Sequence, residues 1–200
     1  MSKTKQSKQL GLEKDGLCFT MTKILNDPLI KQIATGENHS AFVREDGKVF
    51  VFGENNYNQC GMKRKVSLPL PTLLEIDLKV KFVGTGANHT FLFTEDSSLY
   101  MFGLGSDGRL GFGDNRTKEV PTLLFNRPTL SLISSGYRHT IMMQKDGSIH
   151  VFGEAANGAL GFEYTIFCLN TSSQTFFLFF KGLEAMKPWS HPHSSCQTRK

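Results

Sequence analysis

The sequence predicts an all-β protein, namely a partial (open or incomplete) β-propeller of about three four-stranded blades. Three observations support this fold class. A 50-residue repeat runs through most of the 200 residues. Each copy contains short apolar runs separated by Gly or Asp-Gly turn signals. Residues 10–162 contain no long segment with helical periodicity, which argues against a helical repeat protein.

Residues of fixed type recur at a spacing of 50 and define the repeat. They are a glycine, a histidine three residues later, an aspartate, a Phe-Gly pair and a final glycine. The members are Gly36, His39, Asp46, Phe52, Gly53 and Gly61; Gly86, His89, Asp96, Phe102, Gly103 and Gly111; and Gly136, His139, Asp146, Phe152, Gly153 and Gly161. Three copies in this register, without an insertion, indicate repeated structural units.

The first copy indicates what each part of the repeat forms. Ile33–Gly36 is a short apolar stretch, and His39–Val43 and Val49–Phe52 are expected to pair as strands. Between them, Asp46-Gly47 predicts a type I′ hairpin turn, because this turn requires positive φ. A further strand is expected at Thr72–Ile76, after a proline-bounded loop.

The second copy differs at one turn position and shows most clearly how the strands are buried. Ser97 replaces the turn glycine, so this turn is expected to be strained or of another type. Phe91-Leu92-Phe93 is a continuous apolar run rather than an alternating pattern. Such runs indicate strands covered on both faces. Sheets stacked radially, as in a β-propeller, provide that cover.

The repeat register divides the chain into three parts. Residues 1–9 are a basic polar arm, residues 10–162 carry the repeats, and residues 163–200 are a non-repeat tail that we expect to be poorly ordered. Within the repeats we expect a partial blade at 10–28 and blades near 29–78, 79–128 and 129–162. Three hypotheses follow from the small number of blades. The repeats form an open arc, another chain completes the propeller, or the sequence is an unstable truncated or alternative product.

The net charge of +5 belongs to the two ends of the chain, whereas residues 10–180 carry 16 basic and 17 acidic side chains. This distribution disfavours nucleic-acid binding by the repeats. The four cysteines have neither zinc-ligand nor redox spacing, and no apolar stretch is long enough for a signal peptide or a membrane span. We therefore expect an intracellular protein, cytoplasmic or nuclear, without membrane association.

The repeat pattern resembles that of the regulator of chromosome condensation repeat family. In the third copy it reads Gly136-Tyr137-Arg138-His139, Asp146-Gly147, Val151-Phe152-Gly153 and Asn157-Gly158-Ala159-Leu160-Gly161. The resemblance covers about residues 10–162 and implies a β-propeller. Members of the family act as nucleotide exchange factors, as parts of ubiquitin ligases and as partner-binding propellers.

Two patterns suggest chemistry, and both have a structural interpretation. The histidines could indicate a metal or a general base, but one per repeat at constant register favours a structural hydrogen bond. Gly103–Gly108 matches a dinucleotide-binding pattern, yet no helix is predicted after it to receive a phosphate. We expect no catalytic, metal or cofactor site.

Loop residues that depart from the repeat are better candidates for function than the repeat columns. The basic run at Lys63–Lys65 could contact an acidic partner. The candidate partner-binding residues are Asn55, Asn56, Tyr57, Lys63, Arg64, Lys65, Arg109, Asn115, Arg116, Tyr137 and Arg138.

The sequence therefore favours a non-enzymatic protein–protein interaction module. The first alternative, implied by the family resemblance alone, is a guanine-nucleotide exchange factor or regulator for a small Ras-like GTPase. The second alternative is association with chromatin or nucleic acid through the basic ends, and the near-neutral charge of the repeats disfavours it.

Overall fold

The computed structural model describes residues 23–126 and 128–161, and these residues form three antiparallel sheets. The predicted arm at 1–9, most of the partial blade at 10–28 and the tail at 163–200 lie outside the described residues. Within the described part, no helix is long and apolar enough to cross a membrane.

Each sheet is a meander in which strands that follow one another in the chain are paired. The first sheet contains β1 (Ile30–Thr35), β2 (His39–Arg44), β3 (Val49–Gly53) and β4 (Leu68–Leu73). The second contains β5 (Val80–Thr85), β6 (His89–Thr94), β7 (Leu99–Gly103) and β8 (Lys118–Phe125). The third contains β9 (Leu130–Ser135), β10 (His139–Gln144) and β11 (Ile149–Gly153). The prediction of an all-β chain with repeated sheets is confirmed.

The fourth strand of the first sheet lies earlier than Thr72–Ile76, the range predicted from sequence. It spans Leu68–Leu73 and pairs with β3, where Phe50 faces Leu73 and Gly53 faces Leu68. The strand contains two prolines, which an outer strand tolerates because one of its edges makes no ladder hydrogen bonds. The next residue, Leu74, is buried, and its N–H still donates to the Val49 carbonyl of β3 at 2.9 Å.

The β2–β3 turn is not the predicted type I′ turn. Type I′ requires positive φ at both central residues, but here only Gly47, at φ 79°, has it. The Gly47 N–H donates to the Arg44 carbonyl at 3.0 Å, which describes a type I turn followed by a left-handed residue. Ser97 repeats this turn at φ 65°, so the second copy keeps the turn type and is strained.

Two apolar clusters join the three sheets. Between the first and second sheets, Val49 and Val51 pack in one cluster with Val83 and Leu92. Between the second and third sheets lies a second cluster. Its members are Phe91, Phe93, Leu99, Met101, Leu110, Leu124, Leu130 and Met142. The second sheet is thus covered on both faces, as its continuous apolar runs predict.

The glycine that opens each repeat allows close approach of neighbouring sheets. A Cβ on Gly36 would overlap both the carbonyl oxygen of Gly86 and the ring of His39. A Cβ on Gly86 would likewise meet the Gly136 carbonyl and the ring of His89. Only a residue without a side chain fits between the histidine ring and the next sheet.

Candidate interaction surface

The strand order brings the predicted partner-binding loops to one end of the sheets. In the first sheet Thr35 pairs with Ser40, His39 with Gly53, and Gly53 with Leu68, so the β1–β2 and β3–β4 connections adjoin. We call this end, formed by the β1–β2 and β3–β4 loops and their equivalents in the other sheets, the loop end. The tight β2–β3 turns lie at the opposite end.

Nine of the eleven candidate residues are exposed at the loop end. They are Asn56, Tyr57, Lys63, Arg64, Lys65, Asn115, Arg116, Tyr137 and Arg138. Lys63, Arg64 and Lys65 make no ion pair with another described residue, which leaves their charge available to an acidic group.

Asn55 does not protrude, and the expectation that its side chain is available to a partner is wrong. It is fully buried, and its Nδ2 donates to the carbonyls of Met62 and Arg64, at 3.1 and 2.5 Å. Its Oδ1 accepts from the Cys60 N–H at 2.9 Å. The amide therefore replaces missing backbone hydrogen bonds inside the β3–β4 loop and holds its shape.

Arg109 is likewise buried, at 2% exposure, so the expectation that it protrudes is also wrong. Its guanidinium donates to the Ser106 carbonyl at 2.9 Å and to the Asp107 carboxylate at 2.5 Å. These bonds close the 3₁₀ turn at Ser106–Gly108. Both departures have one cause: a long loop needs internal polar groups to satisfy its backbone.

Tyr137 and Arg138 are the exposed candidates in the β9–β10 loop. The Arg138 guanidinium lies 5.5 Å from the centre of the Tyr137 ring and 3.2 Å from the Glu154 carboxylate. Tyr137 remains 55% exposed. An exposed aromatic ring with an adjacent arginine is the type of pair enriched in protein interfaces.

The histidines of the repeat make structural contacts between sheets. His39 Nε2 lies 2.9 Å from Thr90 Oγ1, and the Thr90 hydroxyl donates to the Gln59 carbonyl at 2.7 Å. Because the hydroxyl proton is used there, His39 donates from Nε2. The same relation recurs between His89 and Thr140 at 3.3 Å, so each histidine binds the following sheet.

Burial keeps these two histidines neutral. Removal from water lowers the pKa of His39 to about 4. Burial, with a smaller effect from the charge of Arg109, lowers the pKa of His89 to about 3. In both rings Nδ1 is buried and makes no hydrogen bond, and the smaller, opposite effect of the Ala87 backbone on the pKa of His39 does not offset its removal from water. A general base operating near neutral pH is not expected from such rings.

The glycine pattern at Gly103–Gly108 does not lead into a phosphate-binding helix. Ser106–Gly108 is a single 3₁₀ turn, and Gly111 then has positive φ. The helix N-terminus that a dinucleotide would need does not follow this pattern. In the part of the chain that the structure describes, no group of three or more His, Cys, Asp or Glu side chains could hold a metal ion.

The sequence analysis missed Gln32, whose side chain binds the backbone of the second sheet. Its Nε2 donates to the Val83 carbonyl at 2.8 Å, and its Oε1 accepts from the Val83 N–H at 2.9 Å. The corresponding positions in the other copies are Phe82 and Leu132. A polar residue in an otherwise apolar column was the signal that could have identified it.

Comparisons with known proteins agree with this architecture. Two models of the regulator of chromosome condensation (RCC1) repeat match, one over residues 30–59 and the other over 46–93 and 96–143. Together these matches cover more than half of the chain. No curated protein matches the sequence significantly.

Solved structures with the same fold include human WBSCR16 and yeast RCC1 (Prp20). The human protein is 24% identical with a TM-score of 0.57, over 64% of this chain and 34% of that one. Prp20 bound to Kap60 is 23% identical with a TM-score of 0.57, over 68% and 34%. Prp20p from Saccharomyces cerevisiae, in a study that includes its binding to Gsp1p and histones, is 20% identical with a TM-score of 0.60, over 77% and 39%.

The chain thus matches little more than a third of the length of each of these structures. The likeness shows the fold, a partial β-propeller of stacked antiparallel sheets. Together with the repeat models, it establishes that the chain belongs to the regulator of chromosome condensation repeat family.

Proposed function

We propose that the chain is a non-enzymatic protein-interaction module whose partner binds the loop end. The observation that carries this proposal is the clustering of nine exposed candidate residues at one end of sheets that are locked together by buried contacts. Binding residues are commonly placed on loops held by a rigid scaffold.

The chemistry of the loop end favours a partner with an acidic segment beside an apolar or aromatic anchor point. Lys63, Arg64 and Lys65 supply positive charge and make no ion pair with another described residue. Tyr137 supplies a ring that is 55% exposed. Electrostatic complementarity of this kind increases association rates and specificity.

Affinity capture with quantitative mass spectrometry tests the proposal. The full chain is compared with a double variant, Tyr137→Ala with Arg138→Ala, and with a matched double variant at the opposite end, Glu95→Ala with Lys145→Ala. All four side chains are exposed. We expect the first pair to lose specific proteins that the second pair retains. Equal loss in both, or in neither, contradicts the assignment.

A second candidate is regulation of a small Ras-like GTPase, including nucleotide exchange. The support is membership of the repeat family and the structural likeness to Prp20, which was studied for its binding to Gsp1p. A nucleotide-release assay with a panel of purified small GTPases separates the candidates. Exchange activity would be supported if the chain accelerates nucleotide release from a GTPase and the Tyr137→Ala, Arg138→Ala variant does not. If the chain accelerates release from no GTPase of the panel, this second candidate function is ruled out.

A further inference from the structure

Ser67 carries a hydroxyl group at the end of the β3–β4 loop, two residues after the basic run at 63–65. Ser67 is partly exposed, and Val66, which separates it from the run, is 62% exposed. Within residues 23–126 and 128–161, the Ser67 hydroxyl makes no hydrogen bond to another residue. β4 begins only at the next residue, Leu68. The hydroxyl is therefore accessible, and no described part of the fold depends on it.

The segment that contains Ser67 is held at both ends. The Arg64 carbonyl accepts from the buried Asn55 side chain at 2.5 Å, and Leu68 pairs with β3. Residues 65–67 lie between these two points and have no secondary structure. Because β4 is the last strand of its sheet and pairs along one edge alone, its first residue can separate from β3 at low cost in free energy. The segment can thus extend into the groove of an enzyme.

The second copy of the repeat has a hydroxyl at the same position but different charges before it. Thr117, fifty residues after Ser67, is exposed and also precedes the outer strand of its sheet. Asp114 stands where the first copy has Arg64, and it forms an ion pair with Lys118 at 3.3 Å. The hydroxyl is common to both loops, whereas basic side chains two and three residues before it belong to the first loop alone.

Basic side chains at these two positions are typical of the substrates of arginine-directed serine/threonine kinases. Carboxylates in the substrate groove of such an enzyme pair with the cations, and an apolar residue commonly follows the hydroxyl. Here Arg64 and Lys65 supply the cations and Leu68 supplies the apolar side chain. Arg64 and Lys65 are exposed and make no ion pair with another described residue, so their charges are available to an enzyme.

We propose that Ser67 is a phosphorylation site for an arginine-directed serine/threonine kinase. A bond forms between Ser67 Oγ and the γ-phosphorus of ATP, and the bond from that phosphorus to its bridging oxygen breaks, which releases ADP. The hydroxyl proton passes to a carboxylate base of the kinase and then to solvent. The phosphate carries about −1.5 to −2 charges at neutral pH, so it offsets much of the positive charge at 63–65. The assignment does not rest on the proposed function, because the modification is detected on the chain itself.

Phosphorylation of the full chain by the purified catalytic subunit of cyclic AMP-dependent protein kinase, with Mg²⁺ and ATP, tests the proposal. Mass spectrometry locates the phosphate, and fragmentation distinguishes Ser67 from Thr72, the other hydroxyl of the tryptic peptide 66–79. We expect phosphate on Ser67 and none on Thr117, the equivalent residue without the basic pair. An unmodified Ser67, or equal rates at Ser67 and Thr117, overturns the proposal.

Matched double variants of the full chain show whether the basic pair directs the kinase. Arg64→Ala with Lys65→Ala retains Ser67 and is expected to lower the initial rate of its phosphorylation at least about tenfold, because two charged contacts with the enzyme are lost. Lys48→Ala with Lys145→Ala removes the same charge from exposed positions at the opposite end and should leave the rate unchanged. Equal rates for the two double variants overturn the proposal.

A measurement in cells controls for the high concentration of a purified kinase. The full chain and the Arg64→Ala, Lys65→Ala variant are expressed in cultured cells in the presence of a phosphatase inhibitor, and the phosphorylated fraction of Ser67 is measured by mass spectrometry. We expect a phosphorylated fraction in the full chain and one at least about tenfold smaller in the variant. No phosphate on Ser67 in the full chain, or equal fractions in both, overturns the proposal even if the purified kinase modifies Ser67.

Discussion

His39 and Thr90 lie 51 residues apart in the chain, yet His39 Nε2 donates to Thr90 Oγ1 at 2.9 Å in a fully buried contact between two sheets. The Thr90 hydroxyl in turn donates a hydrogen bond to the Gln59 carbonyl at 2.7 Å. A single threonine therefore satisfies a histidine of one sheet and a loop carbonyl at the same time, which couples sheet packing to the shape of the loop end.

Replacing Thr90 with valine, which has nearly the same shape, should destabilise the chain by about 1–3 kcal/mol, because it leaves buried polar groups unpaired. Urea unfolding of the full chain measures this loss. Thr117→Val is the matched control, since Thr117 is exposed, and it should change stability by less than about 0.5 kcal/mol. Equal effects of the two substitutions would contradict the role assigned to the Thr90 hydroxyl.

Acid should destabilise the fold through the buried histidines. Burial lowers the pKa of His39 from 6.5 to about 4 and that of His89 from 6.5 to about 3. As the pH falls, these histidines bind protons in the unfolded chain before they do so in the folded chain, which favours unfolding. Their contribution to the free energy of unfolding is therefore complete above pH 6.5 and is lost as the pH falls toward 4. At pH 5 the expected loss is about 1–2 kcal/mol per histidine.

Unfolding free energies measured from pH 7 to pH 5 check this expectation. The variant with His39→Gln and His89→Gln retains polar side chains but has no titrating group at these positions, so its stability should vary less over the same range. A wild-type profile as flat as that of the variant would rule out the buried histidines as the origin of acid sensitivity.

Replacing Ser97 with glycine should relieve the backbone strain in this turn and stabilise the chain. Ser97 has φ 65°, a conformation that costs most L-residues about 1–2 kcal/mol. Ser97→Gly is expected to raise the urea midpoint without changing the slope. The reverse change, Gly147→Ser, is the control, because Gly147 has φ 83° and open space around it, so only the backbone conformation can oppose the new side chain. If Gly147→Ser does not destabilise, the strain argument is wrong.

Asn55 and Asn56 should respond differently to alanine. Asn55 is buried and bonds three backbone groups of its loop, whereas Asn56 is exposed. We expect Asn55→Ala to cost about 2 kcal/mol and Asn56→Ala less than about 0.5 kcal/mol. Thermal unfolding of both variants checks the difference, and similar melting temperatures would contradict it.

Gln32→Leu should expose the backbone of the second sheet to exchange. Both polar atoms of the Gln32 amide bond Val83, one to its N–H and one to its carbonyl. Leucine leaves these groups unpaired, so hydrogen exchange at the Val83 amide should accelerate about tenfold or more. Lys31→Leu, at the exposed preceding residue, is the control and should leave that amide unchanged.

The residues that recur at a spacing of 50 predicted much of the fold, because the backbone geometry at these positions permits few residue types. Gly36 and Gly86 must be glycine where a histidine ring and a neighbouring carbonyl approach, and this requirement is visible as a fixed spacing. The turn type was not predictable from Asp46-Gly47, because a type I turn followed by a left-handed residue also places glycine at positive φ.

The site was less predictable because adjacent residues of one type can have opposite roles. Asn55 and Asn56 are identical in the sequence, and burial alone separates them. A weak signal existed: the positions equivalent to Asn55 are Gly105 and Ala155, both small, which suggests a crowded column. The Gln32 contact depends on the spacing of two sheets, which no local pattern encodes.

Site-specific photo-crosslinking in cells tests the central claim, partner binding at the loop end, most directly. A photoreactive phenylalanine analogue is placed at Tyr137 in one version of the full chain and at Glu95, in an exposed turn at the opposite end, in another. The account predicts discrete cross-linked protein adducts from position 137 and none of the same adducts from position 95. The same adducts from both positions, or adducts from position 95 alone, would contradict it.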